Sequence, residues 1–177
     1  YMLGGTEVSN GSISVYGKDW ELVSRSADTS NFGEDNAVSA EEAAGLPFET
    51  EPVFKQVQVF QDLFAGGPGY GNTNTETTYF DSDGSIVGYA REWNDTQYGS
   101  SSISYENAQN EWLGSEYRDS HSVERMSVSY EEVDGETYRT ETGSRSNIEQ
   151  DGSETIQGQW EYTYDEDWNF VSGSETR

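Results

Sequence analysis

Hydrophobic and polar residues alternate along most of the chain, in runs separated by short polar breaks. Five such runs end in an aromatic residue, at 12–16, 76–80, 101–105, 126–130 and 160–164. Because successive side chains of a β-strand point to opposite faces, alternation with a period of two predicts strands. A second alternating run follows each break, and the dipeptides Asp83-Gly84 and Asp134-Gly135 are typical of hairpin turns. The pattern predicts an all-β fold, an antiparallel meander of repeated β-hairpins.

Two of these hairpins carry nearly the same phrase. The segments YGKDWELVSRS (16–26) and YDEDWNFVSGS (164–174) are identical at six of eleven positions. A sheet of about five hairpins either stays open with two edges or curls, up to a closed barrel, which brings its ends together. Closure would give the two phrases equivalent surroundings, whereas a duplication explains the likeness without closure. The sequence leaves both explanations open.

The interval 27–75 departs from the hairpin pattern. Ser39 followed by Glu42 is a capping box, and Gly45 and Pro47 come soon after, so one short helix is predicted near residues 39–45. Alternation predicts a strand over 54–64, and AGGPGYGNTNT (65–75) predicts a glycine-rich loop. No linker divides the chain, so residues 1–177 are predicted to form a single β-rich domain, a segment of a longer chain.

The net charge of the chain limits the kinds of partner that it can bind. It has 34 acidic and 9 basic residues, a net charge of −25, which argues against nucleic acid and against anionic membrane surfaces as partners. It has no run of about 18 apolar residues, so membrane insertion is not predicted. It has no cysteine, which excludes disulfides and thiolate metal sites. The strong negative charge instead favours divalent cations or a cationic partner.

Acidic turns are candidate calcium sites, because Ca²⁺ prefers oxygen ligands from carboxylates and backbone carbonyls. The candidate ligands are Asp81 and Asp83 in DSDGS, and Asp165 and Asp167 in DEDWN. Ile86 stands where an EF-hand loop needs glycine, and the glycine-rich calcium nonapeptide is absent. The alternative is that these aspartates cap the backbone of their own hairpin turns. Calcium is the only cofactor that the sequence suggests.

Two tryptophans are candidate ligand-binding residues, because Trp20 and Trp168 stand at the same position of the two similar turns. An exposed indole can stack on a cation or on the face of a sugar. The alternative is that both rings pack over neighbouring side chains. Five arginines on predicted strands are expected to form cross-strand ion pairs with the abundant acids: Arg91, Arg118, Arg125, Arg139 and Arg145.

Catalytic motifs are weak, and the chain is not predicted to be an enzyme. His121 is the only histidine and lies between Ser120 and Ser122 on a predicted strand, where a histidine is usually a surface or packing residue. No GxSxG elbow is present. With 34 acidic residues, nothing marks two of them as the carboxylate pair that glycoside hydrolysis needs.

The hairpin phrase consists of an aromatic residue, an aspartate, a polar turn and a hydrophobic pair that ends in Val. It is carried by YFDSDGSIVGYA (79–90) and YTYDEDWNFVSGS (162–174). This phrase resembles the repeat modules of large exported bacterial surface proteins, in particular RTX-type calcium-dependent adhesins. The Tyr-Asp…Gly hairpin is also similar to the YD repeats of Rhs-type wall proteins. The resemblance covers residues 13–26 and 77–177, and it implies an extracellular or cell-surface role in extension, attachment or assembly.

These features predict a non-catalytic, extracellular structural or adhesion module that calcium stabilises: a spacer, a surface-attachment unit or a filament subunit. Its expected partners are other copies of itself, modules of the same chain, or glycans. An open sheet edge would let neighbouring copies pair by strand addition. The first alternative is a β-barrel that binds a glycan or small ligand through Tyr and Trp at its mouth. The second is a carbohydrate-active enzyme.

Overall fold

A computed structural model describes residues 6–9, 12–16, 22–27, 33–61 and 71–176. Trp20, the last three residues of the predicted strand (62–64) and residues 65–70 of the predicted glycine-rich loop lie outside these ranges. Within them the chain forms the following strands: β1 Thr6–Ser9, β2 Ser12–Tyr16, β3 Leu22–Ala27, β4 Phe54–Gln61, β5 Thr73–Phe80, β6 Ile86–Asp95, β7 Ser100–Asn107, β8 Trp112–Arg118, β9 Ser122–Val133, β10 Glu136–Ile148, β11 Glu154–Tyr164 and β12 Phe170–Thr176.

The predicted meander of hairpins is confirmed. Strands β4 to β12 form one antiparallel sheet whose spatial order is the chain order, so that β4 and β12 are its two edges. The sheet is open and is not closed into a barrel. Strands β1, β2 and β3 form a separate three-stranded sheet, also in chain order. The two similar phrases therefore belong to different sheets, and closure of one sheet does not explain their likeness.

The two similar phrases share their strand register. Tyr16 pairs with Leu22 and Tyr164 pairs with Phe170, and in both hairpins the register shifts by one residue at the next pair. The β7–β8 hairpin repeats this arrangement, with the shift beside its Glu106–Trp112 pair. Such a shift is a β-bulge, in which two residues of one strand oppose one residue of the other. The repeated phrase thus places a bulge at the same position of both hairpins.

The short helix is also confirmed. Helix α1 spans Ala40–Gly45, and the Ser39 hydroxyl accepts a hydrogen bond from the backbone N–H of Glu42 at 3.1 Å. The Glu42 carboxylate lies 2.6 Å from Lys55 Nζ and accepts a hydrogen bond from the Tyr79 hydroxyl at 3.2 Å. The Tyr79 ring also packs against Phe48, with 5.3 Å between ring centroids. The helix is thereby tied to strands β4 and β5.

The strand predicted over 54–64 is observed as β4, which ends at Gln61. The predicted glycine-rich loop ends earlier than expected, because β5 begins at Thr73 rather than after residue 75. Gly71 has φ +88°, a conformation that favours glycine. The residues between Gln61 and Gly71 are outside the described ranges, so the rest of this prediction is not tested.

Contacts divide the chain into two compact units. The first contains the described residues of Tyr1–Gln58 together with Glu76–Tyr89 and Asn107–Asn110. The second contains the described residues of Val59–Thr75, Ala90–Glu106 and Glu111–Arg177. The division cuts through strands of a single sheet, so it does not decide whether residues 1–177 form one domain, and that statement stays a prediction.

Few apolar side chains are buried. Among the described residues the buried hydrophobic side chains are Tyr79, Phe80, Ala90, Val123 and Val128. By contrast, all seven residues of edge strand β12 and the last five of edge strand β4 are exposed. With so little buried apolar area, the sheet depends strongly on pairs of side chains that face each other across neighbouring strands.

Candidate functional site

Asp81 caps the turn between β5 and β6. Its Oδ1 accepts hydrogen bonds from the backbone N–H groups of Asp83 and Ser85, both at 2.9 Å. Gly84, with φ +81°, donates its N–H to the Asp81 carbonyl at 3.1 Å. These hydrogen bonds are the capping of the turn backbone that was the alternative to calcium binding for Asp81. Asp83 lies on the exposed side of the same turn.

Asp165 caps the turn between β11 and β12 in the same manner. Its Oδ1 accepts from the backbone N–H groups of Asp167 at 3.0 Å and Asn169 at 2.8 Å, and its Oδ2 accepts from the Asn169 side-chain amide at 3.0 Å. The bonds from Asn169, followed by that from Asp167, lower the pKa of the Asp165 carboxyl. Asp167 itself is exposed.

Calcium ligation by these aspartates stays a prediction. Over the described ranges, no three His, Cys, Asp or Glu side chains are grouped so that they could hold a metal ion. Calcium also takes backbone and water oxygens as ligands, so this finding does not decide the matter. Each aspartate pair lies within one turn, and the first aspartate of each pair is already engaged by its own backbone.

Trp168 occupies a backbone position that similar turns fill with glycine or asparagine. It has φ +64°, and the corresponding residues Gly84, Asn110 and Gly152 have φ +81°, +62° and +83°. Each of the four donates its backbone N–H to the carbonyl three residues earlier. A left-handed backbone at a residue with a large side chain costs on the order of 1–2 kcal/mol. Contacts of the Trp168 side chain can offset this cost.

Those contacts are made with Arg139, which lies between two indoles. Its Cζ is 4.3 Å from the centroid of Trp168 and 5.2 Å from that of Trp112. Its Nη2 lies 2.6 Å from the Glu141 carboxylate, and the two side chains are only 14% and 15% exposed. Its Nε is buried without a hydrogen-bond partner. We call Arg139, Glu141, Trp112 and Trp168 the Arg139 clamp.

The clamp bears on the two roles predicted for Trp168, packing and ligand binding. Trp168 is 63% exposed as a residue, yet its ring packs against Arg139 and lies 6.3 Å from the Tyr164 ring. The packing role is therefore observed, and ligand binding through the exposed remainder stays a prediction. The same prediction for Trp20 falls outside the described residues. Arg139 also departs from the expected cross-strand ion pairing, because its partner Glu141 is on its own strand.

Arg139 and Glu141 of the clamp lie on one face of strands β9 to β12, which we call the aromatic face. The register places Tyr130, Arg139, Tyr164 and Phe170 side by side across the four strands. The next two pairs of residues on the same face of β10 and β11 contain Tyr162 and Trp160. A Cβ at Gly143 would come within 2.2 Å of the Trp160 ring, and one at Gly173 within 2.3 Å of the Tyr162 ring. The two glycines thus leave room for the rings to lie against the sheet.

Hydroxyl groups cover the opposite face of the same strands. The Ser127 and Thr142 hydroxyls are hydrogen-bonded to each other at 2.6 Å, and those of Thr140 and Thr163 at 3.1 Å. We call this surface the polar face. By register its serines and threonines are Ser127, Ser129, Thr140, Thr142, Ser144, Thr163, Ser172, Ser174 and Thr176.

Two arginines and two glutamates form an ion-pair network beside the polar face. Arg125 Nη1 and Arg118 Nη2 each lie 2.6 Å from the Glu154 carboxylate, and Arg125 Nε lies 2.7 Å from Glu116. Together with the pairs of Arg91 with Glu106 and of Arg145 with Glu124, this network confirms the expected cross-strand pairing for four of the five arginines.

The network makes stability depend on pH through Glu154. Hydrogen bonds from Arg125 and then Arg118 lower the pKa of Glu154 to about 2, against about 4.3 for an unfolded glutamate. A lowered folded pKa stabilises the fold above the unfolded pKa, and this stabilisation is lost as pH falls through the folded pKa. We expect the difference in unfolding free energy between wild type and Glu154→Gln to be constant near neutral pH and to vanish between about pH 4.3 and 2.

Urea unfolding at a series of pH values checks this expectation. Glu161→Gln is the matched control, because Glu161 is an exposed carboxylate on the same strand. The difference in unfolding free energy between Glu161→Gln and wild type should stay small at every pH. The ion-pair role of Glu154 would be contradicted if the difference in unfolding free energy between Glu154→Gln and wild type stayed unchanged to pH values below the folded pKa of Glu154.

His121 and its neighbours do not form a catalytic triad. Ser120 Oγ lies 2.6 Å from His121 Nδ1, but the two residues are adjacent in an exposed turn. The Asp119 carboxylate, which would have to orient the imidazole, instead accepts from the backbone N–H groups of His121 and Ser122, both at 2.7 Å. These bonds lower the pKa of Asp119. The geometry is that of a turn cap.

Comparison of the chain with protein-family models, with curated proteins and with solved structures found no match. No helix in the described part of the chain has the length and hydropathy needed to cross a membrane. The surfaces of strands β9 to β12 are therefore the features from which a function can be argued.

Proposed function

We propose that this chain is a non-catalytic, extracellular structural or adhesion module that assembles through the open edge of its sheet. The observation that carries the proposal is strand β12. Among the described strands β11 is its one neighbour in the sheet, and all seven of its residues are exposed. An edge strand presents a row of backbone N–H and C=O groups to which another strand can add.

The composition of β12 supports pairing with another strand. Proteins commonly protect a sheet edge with lysine, proline or a very short strand. The segment FVSGSET has neither lysine nor proline, and Glu175 is its one charged residue. Phe170 and Val171 are 61% and 51% exposed. The edge is thus long and apolar at one end.

The partner that fits this edge is a second copy of the same strand, from another copy of the chain or from a similar module. Two β12 strands that pair antiparallel about Gly173 place Val171 opposite Glu175 and Phe170 opposite Thr176. No like charges then face each other, and the contact is symmetric, so one surface serves both partners. Calcium enters the proposal because each copy has a net charge of −25. Divalent cations would reduce the repulsion between copies.

Sedimentation across a range of concentrations tests the proposal, in calcium and in EDTA at matched ionic strength. We expect self-association that is stronger in calcium. Val171→Lys and Ser174→Lys should weaken it, because an added charge on the edge opposes strand addition. Ser129→Lys is the control, since Ser129 is exposed on the same polar face but on an inner strand.

Two results would refute edge assembly. One is a strict monomer at the highest concentration with calcium present. The other is self-association that the two edge lysines leave unchanged while Ser129→Lys abolishes it, because assembly would then use the polar face. Equal association in calcium and EDTA would remove the role of calcium and leave the edge contact intact.

A further inference from the structure

A shallow groove crosses the aromatic face beside Trp160. It has a volume of about 570 Å³, in the range of small-ligand sites. Its lining includes the aromatic residues Trp160 and Tyr162 and the charged residues Arg145 and Glu175. Gly158 also lines the groove and contributes no side chain. We call this the Trp160 groove. It is separate from the candidate ligand residue Trp168.

A β-bulge shapes one end of the groove. The register of β10 and β11 shifts between Arg145 and Ser146, which pair with Gly158 and Ile156. The extra residue is Gln157, whose exposed side chain lines the groove. A bulge often redirects a side chain next to a binding site. The Gln157 amide nitrogen donates to the Thr155 carbonyl at 3.3 Å, and an amide has a carbonyl oxygen and a second N–H with which to bond a ligand.

The indole of Trp160 lies close against the neighbouring strand. A Cβ at residue 143 would come within 2.2 Å of its ring, so the glycine at this position lets the ring pack onto the backbone of β10. A rigid aromatic ring loses little conformational entropy when a ligand stacks on it. The groove therefore has the properties of a preformed stacking site.

The charged groups of the groove are already paired within the protein. Arg145 Nη2 lies 2.6 Å from the Glu124 carboxylate, and the Tyr162 hydroxyl donates to Glu175 at 3.4 Å. A ligand with a net charge would have to compete with these pairs. An acidic ligand would in addition be repelled by a protein of net charge −25. The groove thus favours a neutral ligand that offers both hydroxyl groups and an apolar face.

We propose that the Trp160 groove binds a segment of a neutral polysaccharide. Sugar rings carry C–H groups on one face, which stack on an indole, and hydroxyl groups around the rim, which bond to amides and carboxylates. The groove is open rather than enclosed, which suits a segment of a longer polymer. The inference stands independently of edge assembly, because β12 pairing uses backbone groups at the sheet edge.

Calorimetric titration with neutral hexasaccharides of glucose, xylose and N-acetylglucosamine tests this inference. An acidic oligogalacturonate serves as the comparison. We expect at least one neutral hexasaccharide to bind and the acidic one not to bind. Gln157→Ala should weaken binding roughly three- to tenfold, the effect of losing one hydrogen bond to the ligand. Trp160→Phe keeps an aromatic ring over Gly143 and should weaken it further.

The control is Gln150→Ala, an exposed glutamine in the neighbouring turn, which should bind as wild type does. The inference is wrong if no neutral hexasaccharide binds, if the acidic oligomer binds as well as the neutral ones, or if folded Gln157→Ala and Trp160→Phe both bind like wild type. Ser174→Lys should leave sugar binding unchanged, and Gln157→Ala should leave self-association unchanged. Failure of one proposal is thereby distinguished from failure of the other.

Discussion

Replacing Gly114 by alanine is expected to lower the free energy of unfolding by about 3 kcal/mol, which combines overpacking with backbone strain. Gly114 has φ +151°, and a Cβ at this residue would lie 2.4 Å from the Met126 carbonyl oxygen and 3.1 Å from the Ser127 Cα. Both atoms belong to the backbone of the paired strand β9, so no side-chain rotation can relieve the contact. Strands β8 and β9 would have to separate where the β7–β8 bulge already disturbs the register.

Urea unfolding of Gly114→Ala beside two other glycine variants checks this expectation. A Cβ at Gly45 would meet nothing within 4 Å, and Gly45 ends helix α1, so Gly45→Ala should be neutral or slightly stabilising. A Cβ at Gly158 would lie 3.2 Å from the Thr176 carbonyl, so Gly158→Ala should be intermediate. A Gly114→Ala variant as stable as Gly45→Ala would contradict the close approach of β8 and β9.

Loss of the Arg139 side chain is expected to lower the free energy of unfolding by a similar amount. Arg139→Ala removes two cation–π contacts and leaves the Glu141 carboxylate, which is 15% exposed, without its partner. Breaking a buried ion pair costs about 3–5 kcal/mol, and this pair is not fully buried, so we expect a loss of about 3 kcal/mol. Arg139→Ala combined with Glu141→Gln should recover part of that loss, because the second change removes the stranded charge.

A double-mutant cycle measures how much of this loss of unfolding free energy comes from the contact between Arg139 and Trp168. We expect Arg139→Ala and Trp168→Ala to be coupled by about 1 kcal/mol, the usual size of a partly desolvated cation–π contact. Trp168→Gly should be less destabilising than Trp168→Ala by about 1 kcal/mol, because glycine tolerates the positive φ. Strictly additive effects of the two alanine substitutions would show that the ring contact does not stabilise the fold.

Local features of the fold could be predicted from the sequence because they depend on a few neighbouring residues. Asp134 and Gly135, with φ +56° and +85°, form the two-residue turn that joins β9 to β10, as their dipeptide predicts. The Ser39 cap of helix α1 likewise needs only a residue three positions along the chain. The antiparallel meander follows from short connections between alternating runs.

The candidate site could not be predicted, because it depends on register. A β-bulge shifts one strand by a residue and so exchanges the face on which each later side chain lies. Alternation alone therefore does not show that Arg139, Tyr164 and Phe170 share a row. Both faces of these strands also contain polar residues, so the pattern does not mark either one as buried. Gly143 and Gly173 were a usable signal, since a glycine within a strand often marks a close approach by a neighbouring group.

The hairpin order has a consequence for how such a sheet can change over evolutionary time. Within the described part of the chain, each strand from β4 to β12 has as its sheet neighbours only strands adjacent to it in the chain. Architectures with this property behave as linear arrays, in which each unit interacts with its nearest neighbours. Inserting or deleting one whole hairpin would preserve the direction of every remaining strand and would leave distant turns untouched. The length of the sheet is thus a property that gene duplication can adjust in steps of one hairpin.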